Sequence, residues 1–157
     1  MRRRALNRRG FTLIEMLVVF VVIGILASIS ILKYIDLRRT AQAARVSGDL
    51  NTIKIAVYTY YSDANTWPAE VGPGVVPPEL VPILSPGFTF VKDVYTLDYD
   101  FFPVSGSGPG SYIVGVSIST PDPLLMAKLE QILGRTLPFL AAGGGLTYII
   151  VGSDGAS

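Results

Sequence analysis

The chain has no cysteine and no histidine, and only 16% of its 157 residues are charged. Without cysteine there is no disulfide framework, no thiolate nucleophile, no iron–sulfur cluster and no Cys-ligated zinc. Without histidine there is no Ser-His-Asp triad, no imidazole base and no HExxH metal site. Carboxylate-only catalysis and a Ca2+ site built from oxygens stay open. Net charge is also nearly missing, because 13 basic residues face 12 acidic ones. That balance hides a split. Arg2, Arg3, Arg4, Arg8 and Arg9 give the first ten residues +5, and the chain after Gly10 carries 8 basic and 12 acidic residues, or −4. No strong nucleic-acid footprint is expected from a part of that sign.

What is present in excess is apolar surface, half of all residues, and the excess has an address. Phe11 to Leu32 holds 17 apolar side chains in 22 positions and a single charge. The other residues after Gly10 have the apolar share of an ordinary soluble domain, and the chain length suits one domain with a real core. As a helix, 22 residues rise roughly 33 Å, enough for a hydrocarbon core of about 30 Å. Lys33 and Tyr34 then mark an interface. A cleaved secretory signal has a shorter apolar core and a small-residue cleavage site, and no clear one follows here. Arg8-Arg9-Gly10-Phe11 fits a loose twin-arginine pattern, but the apolar run is too long for that reading. A single membrane-spanning helix is expected. Five arginines before the segment against Lys33, Arg38, Arg39 and Arg45 after it bias the N-terminus weakly toward the cytoplasm.

Glu15 discriminates among these readings. A carboxylate four positions into an apolar run costs on the order of 2–3 kcal/mol to insert, and a passive anchor has no use for it. Basic residues followed by Gly10-Phe11-Thr12-Leu13-Ile14-Glu15 and a long apolar run resemble the prepilin signature of type IV pilins and type II secretion pseudopilins. The resemblance implies that a membrane-embedded prepilin peptidase cuts between Gly10 and Phe11 and N-methylates Phe11. It assigns assembly to Glu15, with Thr12 beside it, through pairing of the carboxylate with the amino terminus of a neighbouring subunit. Burying two such charges is tolerable only when they are paired. Many family members have a proline where this chain has Leu32, so a continuous helix is expected here. Gly24 and Ser28 form a small-xxx-small pair that can let helices approach.

Beyond Lys33 the pattern becomes amphipathic. Val46, Leu50, Ile53, Val57 and Tyr60 or Tyr61 recur at three- and four-residue steps, and no proline occurs between Phe11 and Trp67. One helix therefore runs from the membrane to about Ser62, with Arg38 and Arg39 on a solvated or headgroup face. Trp67 to Gly87 reads as a proline-rich connector, with Trp67 as a lid on the core and Pro77-Pro78-Glu79-Leu80 starting a short helix. Strands are expected at Phe88–Val91, Val94–Phe102, Tyr112–Ile118 and Thr147–Val151, with a turn over 103–110 and a flexible turn at Gly143-Gly144-Gly145. Asp122-Pro123 caps a helix through Leu133 whose core face is Leu125, Leu129 and Ile132.

The expected fold is α+β: a long N-terminal helix, half transmembrane and half amphipathic, on a small antiparallel sheet, as in pilins. The expected organisation is a cytoplasmic leader at 1–10, a membrane and assembly half at 11–32, an amphipathic half at 33–63 and a connector-plus-sheet domain at 64–157. No catalytic or cofactor-binding residue is expected. Asp98 and Asp100 share one strand face and are metal candidates, with Ca2+ the matching ion, but two solvent-facing carboxylates are the preferred reading. The function expected is a structural subunit of the cytoplasmic (inner) membrane, its C-terminal domain outside. It would be a pseudopilin polymerising into the periplasmic filament of a type II secretion-like system. The alternatives are a subunit of a type IV pilus or DNA-uptake filament and, in a different class, a single-pass ligand-binding protein. The partners implied are the prepilin peptidase, copies of this chain and other pilin-like subunits, and an inner-membrane assembly platform, with no nucleic acid.

Overall fold

The computed structural model describes residues 10–103, 112–134, 139–142 and 145–152. The leader arginines and the glycines at 143 and 144 fall outside that set, as does the expected 103–110 turn apart from Pro103. The chain divides into two compact units, Met1–Arg38 and Arg39–Ser157. Helix α1 (Leu13–Ala64) supplies most of the first and one layer of the second.

All six buried residues of α1 belong to the second unit: Ala43, Val46, Leu50, Ile53, Ala56 and Val57. Their three- and four-residue steps place them on one stripe of a 3.6-residue helix. The helix stops where its sequence supplies a left-handed residue. Asn65 has φ 51°, and its N–H donates to the carbonyl of Tyr61 at 2.8 Å. Asparagine tolerates this conformation better than most residues, and Pro68 soon after cannot continue a helix.

Among the described residues the sheet has four antiparallel strands in the order β1-β2-β4-β3. These are β1 (Thr96–Pro103), β2 (Tyr112–Ser119), β3 (Phe139–Ala142) and β4 (Gly145–Val151). Alternation from Tyr95, just before β1, along the strand buries Tyr95, Leu97 and Tyr99 together with Val114, Val116 and Ile118 of β2 and Leu146, Tyr148 and Ile150 of β4. These residues form one cluster with the α1 stripe. The β2–β4 register shifts between Val114 and Gly115. A Cβ at Gly115 would lie 2.9 Å from Cγ2 of Thr147 and 3.0 Å from the carbonyl oxygen of Tyr148, so the bulge admits only glycine without rearrangement. Helix α2 (Pro123–Leu133) is capped by Asp122, which accepts the Leu124 N–H at 2.9 Å and precedes a proline at the first turn.

Three expectations need correction. The 88–91 strand is reduced to an isolated Val91–Thr96 bridge. There Leu97 N–H donates to Phe90 O and Lys92 N–H to Tyr95 O, so the chain reverses within a few residues, with Phe90 driven into the core. Pro77–Leu80 starts no helix. Leu80 and Val81 donate to the carbonyls of Pro77 and Pro78, but the next residue is Pro82, which has no N–H to extend the ladder. On α2 the third core position is Leu133, and Ile132 is only partly buried. Strand β3 has no counterpart among the expected strands, because Phe-Leu-Ala-Ala shows no alternation.

The connector protects an edge. Gly74 N–H donates to Leu97 O at 2.9 Å on the side of β1 away from β2, and the 90–92 segment takes the neighbouring bonds. An open strand edge invites pairing with other chains, and here the outer rim of β1 is partly occupied. Leu50 is completely buried at the centre of the α1 stripe. Leu50→Ala should lower unfolding stability by about 2–5 kcal/mol, read by chemical denaturation of the detergent-solubilised protein.

Candidate functional site

The first unit presents the opposite surface chemistry to the second. From Phe11 to Leu37 every described side chain is exposed; Phe11 is 73% and Leu13 84% accessible. Helix α1 is long and apolar enough in this part to cross a membrane. Its hydroxyls find partners inside the helix: Ser28 Oγ donates to Gly24 O and Ser30 Oγ to Leu26 O, both at 2.8 Å. A spanning helix must satisfy its polar groups internally, and these two serines do so.

The start of α1 is built around Thr12 and Glu15. Thr12 N–H donates to Glu15 Oε2 at 2.8 Å, and the Thr12 hydroxyl donates to the same oxygen at 2.6 Å. In return Glu15 N–H donates to Thr12 Oγ1 at 3.3 Å. This is a capping box, the reciprocal T-x-x-E arrangement that satisfies two of the four donors left unpaired at a helix start. The carboxylate is thus held at the first turn, where the helix dipole favours negative charge. Gly10 is exposed and lies outside the helix, and a Cβ there would meet nothing within 4 Å. The Gly10–Phe11 bond therefore sits on exposed, non-helical backbone just ahead of α1.

Asp98 and Asp100 depart from the solvent-facing expectation. Asp100 is only 8% exposed; the Ser117 hydroxyl donates to it, and Ser117 lies 2.8 Å from the Thr147 hydroxyl. Asp98 is half-buried, with Oδ1 buried and unpaired. Burial, then the charges of Asp100 and Glu70, push its carboxyl up to about 6. The register explains this, because the hydroxyl residues of β2 and β4 lie beside the acidic face of β1. Among the described residues no three acidic side chains converge as metal ligands.

Two ionic contacts of the second unit were not anticipated. Arg39 is not on a solvated face, since its Nε lies 3.4 Å from Asp122 Oδ2 and ties α1 to the cap of α2. Asp49 accepts the Tyr95 hydroxyl at 2.6 Å and lies 3.5 Å from Lys92 Nζ. Only charges at helical and strand spacing were visible in the sequence, and neither pairing is local. Trp67 does close one end of the core, stacked on Tyr61 at 4.0 Å and edge-on to Tyr58 at 6.1 Å.

The capped, acidic start of an exposed apolar helix coincides with a family signature. Residues 6–31 match the model described as the prokaryotic N-terminal methylation motif. Over its N-terminal part the chain is similar to type IV pilins and fimbrial proteins. It is 41% identical over 63 residues to fimbrial protein EcpC of Eikenella corrodens, covering 40% of this chain and 41% of that protein. It is 48% identical over 50 residues to a type IV major alpha-pilin of Moraxella bovis, covering 32% and 31%. To the type IV major pilin protein PilE1 of Neisseria gonorrhoeae it is 35% identical over 71 residues, covering 45% and 33%. The matches span about two fifths or less of these pilins' own lengths. No solved structure matches.

The sheet carries a pH signature of its own. A carboxyl whose folded value lies near 6, above the ordinary 3.8, holds its proton more tightly when folded. The native state is then penalised at pH 7–8 and gains stability as pH falls through 6 toward 4. Asp98→Asn should raise the melting temperature at pH 7.5 and shrink the rise seen between pH 7.5 and 5, measured by thermal denaturation.

Proposed function

We propose that this chain is a structural subunit made as a precursor, cut between Gly10 and Phe11, N-methylated on Phe11 and polymerised through the first part of α1. The single observation that carries this reading is Glu15. It is the only ionisable side chain between Gly10 and Lys33, and a capping box holds it in place on an otherwise apolar, exposed helix. In assembly the carboxylate receives the amino terminus of a neighbouring copy, which sets the axial register. Thr12 orients it by occupying Oε2 and leaving Oε1 toward the partner. The box also means that the waiting subunit does not hold a bare charge in lipid. Pairing with a neighbour is an exchange of partners, not the rescue of an isolated anion.

The subunit waits in the cytoplasmic membrane with the sheet domain outside, and the prepilin peptidase and an inner-membrane assembly platform act on it there. At the finer level we read it as a pseudopilin of a type II secretion-like machine, because the cysteine-free chain lacks the C-terminal disulfide loop of many adhesive pilins. A second reading, a subunit of a surface type IV pilus, is supported by the matched relatives, which are major pilins and fimbrial proteins. Deleting the gene separates them: loss of exported protein supports the first, loss of surface filaments the second.

Mass spectrometry of the protein from its native membrane should show a chain beginning at Phe11 and carrying one added methyl group. An intact Met1, or a cut near Ala27, would sink the reading. Glu15→Ala should leave insertion and cleavage intact and abolish filaments in sheared-fraction immunoblots; normal filament yield would contradict the register role.

A further inference from the structure

We infer that the first turn of α2 is a second membrane contact, resting its apolar side chains in the lipid headgroup layer at the Lys33 end of the span. The inference rests on the membrane-spanning reading of α1 and names a further surface that lipid covers. Pro121, Pro123, Leu124 and Ala127 are all exposed, and Leu124 is 57% accessible. A single exposed leucine needs no explanation, but this one belongs to a turn that hides its polar groups. Pro121 and Pro123 have no N–H to satisfy. The Asp122 N–H donates to Thr120 Oγ1 at 3.2 Å, and the Thr120 hydroxyl donates to Val94 O at 2.7 Å. The Leu124 and Leu125 N–H groups turn to the Asp122 carboxylate, and the Met126 N–H donates to Asp122 O at 3.1 Å. Asp122, the one ionisable side chain of the turn, is paired with Arg39. A helix start usually leaves such donors to water. Here each is absent or satisfied, which is what a surface facing lipid requires.

Chain length keeps this turn near the bilayer. Arg39, its partner on α1, follows Lys33, the first charge past the apolar run, by only six residues. Six residues rise about 9 Å as helix and reach about 20 Å even when fully extended. The headgroup layer adds roughly 5–7 Å to each side of the hydrocarbon core, so a turn held at Arg39 lies within reach of it. Exposed Ile55, by contrast, follows Lys33 by 22 residues. Charge suits the same partner. Lys33 and Arg38 are exposed basic side chains, and such groups draw a chain to anionic headgroups. The rest of α2 limits the depth, because its exposed face turns polar at Glu130 and Gln131. Only the first turn enters, and it holds the second unit against the lipid surface before assembly.

The cysteine-free chain allows the test by single-site labelling. A nitroxide is attached to Ala127→Cys in the full chain, reconstituted in vesicles of phosphatidylcholine and phosphatidylglycerol. Ile55→Cys serves as the aqueous reference and Ile23→Cys as the mid-span reference. Paramagnetic resonance compares collision with oxygen, which concentrates in lipid, and with a nickel chelate, which stays in water. The oxygen-to-nickel ratio at Ala127→Cys should exceed that at Ile55→Cys by roughly fivefold, as expected for a shallow site at the headgroup boundary. Adding Leu124→Gln should return the Ala127→Cys label toward the aqueous value. A label open to nickel would place the turn in water, and one shielded from both probes would place it against another copy. A ratio unmoved by Leu124→Gln would remove the apolar turn as the cause; each of these outcomes overturns the inference. The Ile23→Cys label judges the spanning reading separately. Lipid values at position 23 with aqueous values at position 127 sink this inference alone, whereas aqueous values at position 23 sink the spanning reading itself.

Discussion

The carboxylate of Glu15 takes two hydrogen bonds from Thr12 and sits at the start of a helix whose next seventeen residues contain no charge. A helix in hydrocarbon cannot leave its first N–H groups to water, so something in the chain must satisfy them. The Thr12–Glu15 box does this for two donors, and it makes a charge tolerable where an isolated one is not. The rest of the first unit follows from the same constraint. Its serines bond back to carbonyls one turn earlier, and its apolar side chains all face outward because no protein of this chain covers them. Surface of that kind is stable only when lipid or other protein covers it.

In the second unit the same helix obeys a different solvent. Its apolar residues narrow to one stripe, and that stripe is closed by a four-stranded sheet. Polar groups near this core are held in pairs that join elements distant in sequence. Asp49 joins α1 to Tyr95 and Lys92, Asp122 joins α2 to Arg39, and Asp100 leans on Ser117. Asp98 has no such partner for Oδ1, and burial, with the charges of Asp100 and Glu70 beside it, makes its ionised form costly in the folded chain. The sheet thus pays a small electrostatic cost on one face while its other face forms the core.

How much of this was legible depended on range. The stripe Val46, Leu50, Ile53, Val57 and the Asp122-Pro123 start of α2 are local patterns, and both fold as their spacing dictates. The prepilin-like signature is local too, with its glycine, threonine and glutamate within six residues. Strand β3 was illegible because four residues without alternation acquire strand geometry only by pairing with β4. The turns over 77–84 looked helical because two prolines suit a first turn, yet Pro82 denies the next hydrogen bond.

By itself the sequence determined where the chain meets a nonpolar solvent, where a carboxylate interrupts that surface, and which helix faces are buried. Those properties are set by composition and by the 3.6-residue period, which act over a few turns. Only the tertiary structure decided the burial of Asp98 and Asp100, the Arg39–Asp122 and Asp49–Tyr95 pairs, and the shielding of the β1 rim. Each of these depends on which distant segments meet and in what register. A one-residue slip in the β1–β2 pairing would turn Asp100 toward the core and Tyr99 toward solvent.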